Sequence, residues 1–161
     1  MAKRLDKFSG VVADIYEKIA CVLVAMIIFI LFWQVFTRYI LNSSATWTEE
    51  LARFCFIWVT MLGSAIVTRE GGHASITFLA DKLSGRASVI QVVCVQGIII
   101  ILALIFGISM FPLLKITASR LSTSLQLPYI YVYSSVPIGF LGVFINAVNN
   151  IVRVLVKKND T

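Results

Sequence analysis

Charge is scarce in this 161-residue sequence: 14% of its residues are Asp, Glu, Lys or Arg, against 59% hydrophobic. Soluble domains carry about 25% charged and 45–50% apolar residues, so this chain lacks the side chains to coat a water-facing surface. A mean hydropathy of +0.92 agrees. Paired cysteines are also missing. Cys21, Cys55 and Cys94 stand singly in three different apolar runs. That excludes a disulfide framework, a zinc site and a dithiol redox centre, and leaves each as a small packing residue. The one histidine, His73, has no Cys, His or acid cluster beside it, so it reads as a structural or partner-contact residue. Repeats, low-complexity tracts and linkers are absent, and one domain over residues 1–161 is expected.

What the chain does have is long apolar runs. A bilayer core takes about 20 helical residues. Residues 19–37, 51–68, 87–114 and 121–152 are almost free of charge, with Arg53 the one interruption. They predict spans at approximately 19–41, 47–68, 88–112 and 131–153. No small-residue cleavage site follows the first run, which is therefore expected to stay as an anchor. Pro128 and Pro137 divide the last run, and Tyr129, Tyr131 and Tyr133 suit a membrane–water interface. The fold class expected is an all-α integral membrane protein with four transmembrane helices. A short amphipathic helix should precede them, because Leu5, Phe8, Val12, Ile15 and Ile19 recur at helical spacing among Lys3, Arg4, Lys7 and Lys18. Ile76, Leu79 and Leu83 suggest another short helix between spans two and three.

The basic residues act as topology signals rather than as a nucleic-acid patch. Ten of the fourteen fall in the N-terminal segment, the loop after span two and the C-terminal tail; Arg38, Arg53, Lys115 and Arg120 make up the rest. By the positive-inside rule both termini are cytoplasmic, and loops 42–48 and 115–133 face the periplasm. The expected location is the bacterial inner membrane, with multiple passes.

Intramembrane charge is expensive and usually functional, yet none sits at the middle of any run. A proton-coupled carrier generally needs a titratable group there. Gln34, Gln96, Asn146 and Asn149 are polar and uncharged, and should turn toward other helices. Gly63-Ser64-Ala65 and the pair Gly139 and Gly142 would let helices approach closely. At the start of span two, Thr46 and Glu49 have capping-box spacing, and Glu49 and Glu50 lie four and three residues before Arg53. Two readings follow: a half-buried salt bridge to Arg53, with Arg38 as second partner, or simply a well-made helix start with Trp47 at the interface. Downstream, Gly71 and Gly72 should end the helix.

The run Trp47-Thr48-Glu49-Glu50-Leu51-Ala52-Arg53-Phe54, then Trp58, Leu62-Gly63 and Arg69 to His73, resembles the signature of the small membrane subunit of tripartite ATP-independent periplasmic (TRAP) transporters. Leu127-Pro128, Tyr133 and Val136-Pro137-Ile138-Gly139 extend the resemblance over nearly the whole chain. It implies a sodium-driven, binding-protein-dependent importer of an organic acid, of C4-dicarboxylate or sialic acid type. It also implies two protein partners: a large multi-span subunit, which carries the substrate and sodium sites, and a periplasmic binding protein. This chain would be a non-enzymatic scaffold without a cofactor, touching lipids and the large subunit. Arg38, Trp47, Glu49, Glu50, Arg53, Trp58, Gly63, Arg69 and His73 would be structural or subunit-contact residues, and Lys115 and Arg120 binding-protein contacts. The alternatives are an adaptor for another membrane complex and a small oligomeric carrier. Four-span exporters rely on an acid in their first helix, which residues 19–37 lack, and a thiol oxidase needs paired cysteines.

Overall fold

The computed structural model describes residues 2–43, 45–70 and 86–159. They form five helices: α1 (Ala2–Tyr39), α2 (Thr46–Glu70), α3 (Arg86–Thr117), α4 (Ile130–Tyr133) and α5 (Ser135–Asn159). Four stretches are long and apolar enough to cross a membrane, namely Arg4–Tyr39, Thr46–Glu70, Val89–Thr117 and Ile130–Val156. The four expected spans are all present. His73, Lys82, Gly71, Gly72 and the helix expected around Ile76, Leu79 and Leu83 lie outside the described residues.

The N-terminal amphipathic segment is not a separate helix. It forms the first turns of α1, whose 38 residues extend about 57 Å, nearly twice the thickness of a bilayer core. Nothing in residues 2–39 breaks the helix, since Gly10 is its only glycine and it has no proline. The inward line also differs from the apolar stripe. Phe8, Ile15 and Ile19 are exposed. Ser9, Ala13, Tyr16, Ala20, Leu23, Ile27, Ile30, Gln34 and Thr37, alternately four and three apart, are buried or half-buried, and Leu5 and Val12 of the predicted stripe are half-buried beside them. Such alternation keeps one seam facing a neighbouring helix.

Among the described residues, helices α1, α2 and α5 contact one another, whereas α3 leans on α5 and the short α4 alone. The arrangement is a three-helix core with one outrigger. The polarity of that core is inverted relative to a soluble protein. Thr48, Thr68, Ser135, Asn146 and Asn149 are among its most buried side chains, while Phe29, Phe32, Ile98, Ile105 and Phe106 are exposed. In a bilayer the surroundings are apolar, so polar groups gain by turning inward and large apolar ones lose nothing by facing out.

Gly139 and Gly142 set the spacing of the core. A Cβ at Gly142 would stand 2.4 Å from Tyr16 Cε2 and 2.8 Å from Ala65 Cβ, and one at Gly139 would stand 2.8 Å from the Met61 carbonyl oxygen. Gly63 is different: a Cβ there would meet nothing within 4 Å. The small-residue patch of α2 therefore works through Ala65, which is fully buried, and leaves Gly63 open on the outer side.

Candidate functional site

The polar residues collect at two levels, near the two ends of the core. At one level, α2 begins at Thr46 and brings Glu50, one turn in, beneath the connection between α3 and α4. That connection is a tight hairpin. Ser122 N–H donates to the Leu127 carbonyl (2.9 Å), Tyr129 N–H to the Arg120 carbonyl (3.0 Å), and Leu127 N–H to Ser122 Oγ (3.2 Å). Gln126 takes a left-handed backbone, φ 53°, to close the turn. Three successive N–H groups, of Thr123, Ser124 and Leu125, then point at the Glu50 carboxylate at 3.2, 2.9 and 2.9 Å. Consecutive amides of this kind make an anion-binding concavity. Here the chain fills it with its own carboxylate, buried at 8% exposure.

This corrects the salt-bridge reading of the start of α2. Among the described residues the ion pairs are Arg69–Asp14 and Arg153–Asp6, and neither Glu49 nor Glu50 pairs with Arg53 or Arg38. Glu50 is taken by the hairpin amides, which bind it from three directions. Glu49 Oε1 instead accepts from Gln34 Nε2 (3.1 Å), a link between α1 and α2. The capping-box spacing has another use too: the Thr46 hydroxyl accepts from Ser124 Oγ (3.3 Å) and so joins the same clamp. Trp58 Nε1 donates to the Tyr131 carbonyl (3.0 Å), tying α2 to α4. Trp47 borders an apolar hollow with Phe29, Ile30 and Trp33. Arg38 and Arg53 are exposed.

The second level lies where the start of α1 meets the ends of α2 and α5. Ser9 Oγ donates to Asn146 Oδ1 (2.6 Å), and Asn146 Nδ2 to the Ala65 carbonyl (2.7 Å), so one amide bridges three helices. Asn150 Nδ2 donates to the Thr68 carbonyl (2.7 Å). Asp6 accepts from Asn149 Nδ2 (3.1 Å) and from Arg153. Arg69 Nη1 lies 3.9 Å from Asp14 Oδ1, with its guanidinium over Gly10, whose small size admits it. The expectation that Asn146 and Asn149 turn toward other helices holds. Asp6, Ser9, Asp14, Asn150 and Arg153 carry this level as well, and sequence reasoning passed over them. The run Asn146 to Asn150 inside an apolar stretch was the available signal, since amides facing lipid would be costly.

We expect Asn146→Leu to destabilise the chain by about 1–2 kcal/mol, the sum of two interhelical hydrogen bonds of membrane strength. Denaturation of the purified protein from mild detergent into dodecyl sulfate measures it.

Lys115 belongs to the last turn of α3 rather than to the loop that follows, and Arg120 sits at the base of the hairpin. Both are exposed. Cys55 is buried, Cys21 and Cys94 are exposed, and all three are free thiols. Among the described residues no group of three or more His, Cys, Asp and Glu is arranged to hold a metal ion. The chemistry of both levels is mechanical: each fixes helices or a loop through hydrogen bonds to backbone and side chains, with ion pairs added at the second.

Comparison with known proteins gives a family. The model described as "Tripartite ATP-independent periplasmic transporters, DctQ component" matches residues 18–157. The chain is 37% identical over 83 residues to the sialic acid TRAP transporter small permease protein SiaQ of Vibrio cholerae, covering 52% of this chain and 48% of that one. It is 33% identical over 122 residues to the isethionate TRAP transporter permease protein DctMQ of Oleidesulfovibrio alaskensis, covering 71% of this chain and 19% of that protein. A putative TRAP transporter small permease protein of Haemophilus influenzae is 37% identical over 67 residues, 41% of this chain and 42% of the relative. The chain thus spans about half or less of the length of these curated relatives.

Proposed function

This chain belongs to the DctQ component family of the tripartite ATP-independent periplasmic transporters, and from that premise we propose that it is the fixed scaffold of such a transporter. Its work is to hold a larger, solute-carrying membrane subunit in the bilayer. The observation that supports this is the use of the buried polar groups. Glu50, Asn146 and Asn150 bind this chain's own backbone instead of facing a solute cavity. A membrane-embedded solute site needs groups free to bind its ligand. Scaffolding needs fixed helices and large apolar outer faces, and α1 and α3 supply those.

The larger subunit would bind the solute, an organic acid of C4-dicarboxylate or sialic acid type, together with sodium ions. DctMQ suggests the pairing, because the region resembling this chain is a small part of that longer permease protein. In this proposal both termini are cytoplasmic, in the inner membrane of a bacterium, following the excess of Lys and Arg on that side. The hairpin clamped by Glu50 then faces the periplasm and offers Arg120 to an acidic surface of a solute-binding protein.

Extraction in mild detergent is expected to recover this chain with a much larger multi-span protein, and deletion of the chain to abolish uptake. Recovery of the chain alone, with uptake unaffected by its deletion, would refute the scaffold role. A finer test uses the outer charges of α2. Glu49→Ala and Arg53→Ala should each lower recovery of the larger subunit by about two- to fivefold, the range for one charged contact. Glu70→Ala should lower it less. Equal effects of all three would remove Glu49 and Arg53 from the interface.

A further inference from the structure

The outrigger position of α3 leaves an open apolar groove along its junction with α5. Leu104, Gly107, Ile108 and Phe111 of α3 and Phe140 of α5 are part of its lining. Its volume is about 260 Å³. Phe106 and Phe140 stack beside it, ring centres 5.8 Å apart.

The groove also has a charged end. Leu104, Ile108, Phe111 and Lys115 follow one another at spacings of four, three and four, so they share one face of α3. Lys115 thus stands one turn beyond the apolar lining, about 16 Å along the helix from Leu104. It is exposed, and among the described residues it takes part in no ion pair. A lysine at the end of a span reaches for the headgroup level, where its ammonium acts as a point charge for phosphate. An apolar channel inside the hydrocarbon layer that ends at an unpaired cation has the form of a phospholipid.

We propose that the α3–α5 groove is a binding site for one phospholipid, with an acyl chain lying against Gly107 and Phe140 and its phosphate at Lys115. The lipid fills the junction through which α3 is attached to the core.

The test uses the intact transporter complex, delipidated in mild detergent and then supplied with dioleoyl phosphatidylglycerol, with bound lipid counted by native mass spectrometry. Wild type is expected to retain one lipid that survives dilution, and Lys115→Glu to lower its occupancy about fivefold, the effect of one basic residue near a lipid surface. Gly107→Leu should lower it as well by filling the groove. The helix pair tolerates a side chain there, because a Cβ at 107 would stand 3.8 Å from Phe140 Cβ, an ordinary contact. Undiminished lipid in both variants overturns the proposal. A photoreactive residue at Phe111 gives the second measurement. Cross-linking to phospholipid supports the site, and cross-linking to a peptide of the larger subunit overturns it.

Discussion

Replacing Gly142 by valine is expected to cost this chain about 3 kcal/mol or more, the upper end for forcing a larger side chain into a packed interior. The position is crowded from two sides. Tyr16 of α1 and Ala65 of α2 would both lie within 3 Å of the added Cβ, so relieving one contact tightens the other. The Tyr16 hydroxyl is further held by the Ile138 carbonyl at 2.8 Å, which limits its escape. Separation of α5 would also stretch the hydrogen bonds of Asn146 and Asn150, both within two or so turns of Gly142. Thermal unfolding in mild detergent should show the loss, with Gly63→Val as the comparison. A Cβ there meets nothing within 4 Å, so that second substitution should change the stability of the isolated chain by no more than about 0.5 kcal/mol. If Gly63 belongs to the contact with the larger subunit, the same variant should still reduce recovery of the complex. An unchanged melting temperature for Gly142→Val would mean that the three helices do not meet there.

Glu50→Ala should release the hairpin between α3 and α4. Three backbone N–H groups would lose a charged acceptor together. Leaving donors unmet is costly in proportion to how far water is kept from them. Amide exchange at Thr123, Ser124 and Leu125 should quicken by about a factor of ten or more, while the amides of α5 stay protected. Glu50→Gln keeps one accepting oxygen and should fall between the two. A hairpin that exchanges at the wild-type rate in Glu50→Ala would show that the turn, with its left-handed Gln126, is sufficient alone. In the proposed role the consequence reaches function: a loosened hairpin would present Arg120 less rigidly to its partner and weaken docking.

The spans were legible because their signal is a sum. Twenty or so apolar residues need no particular partner to demand a bilayer, and the four runs stood out one by one. The family could also be reached from residues, since Trp47 to Phe54 is a contiguous string. Individual partners were harder. Glu49, Glu50 and Arg53 have helix-pair spacing, and local geometry alone favours an ion pair. What prevents it is a loop more than seventy positions away, folded so that its amides surround Glu50. Asp6 stands between lysines in the sequence, and nothing local points to its partners Asn149 and Arg153 at the far end of the chain.

By itself, then, the sequence determined the class of the protein, its four crossings and the absence of charge from their middles, because these depend on composition along one helix at a time. Only the tertiary structure decided that α3 stands outside a three-helix core, and which polar groups hold which backbone. It also decided that Gly139 and Gly142 are closed contacts while Gly63 is open. The reason is physical: a helix's polar and small residues must turn toward protein in a bilayer, but which protein surface meets them is a property of how the helices pack together.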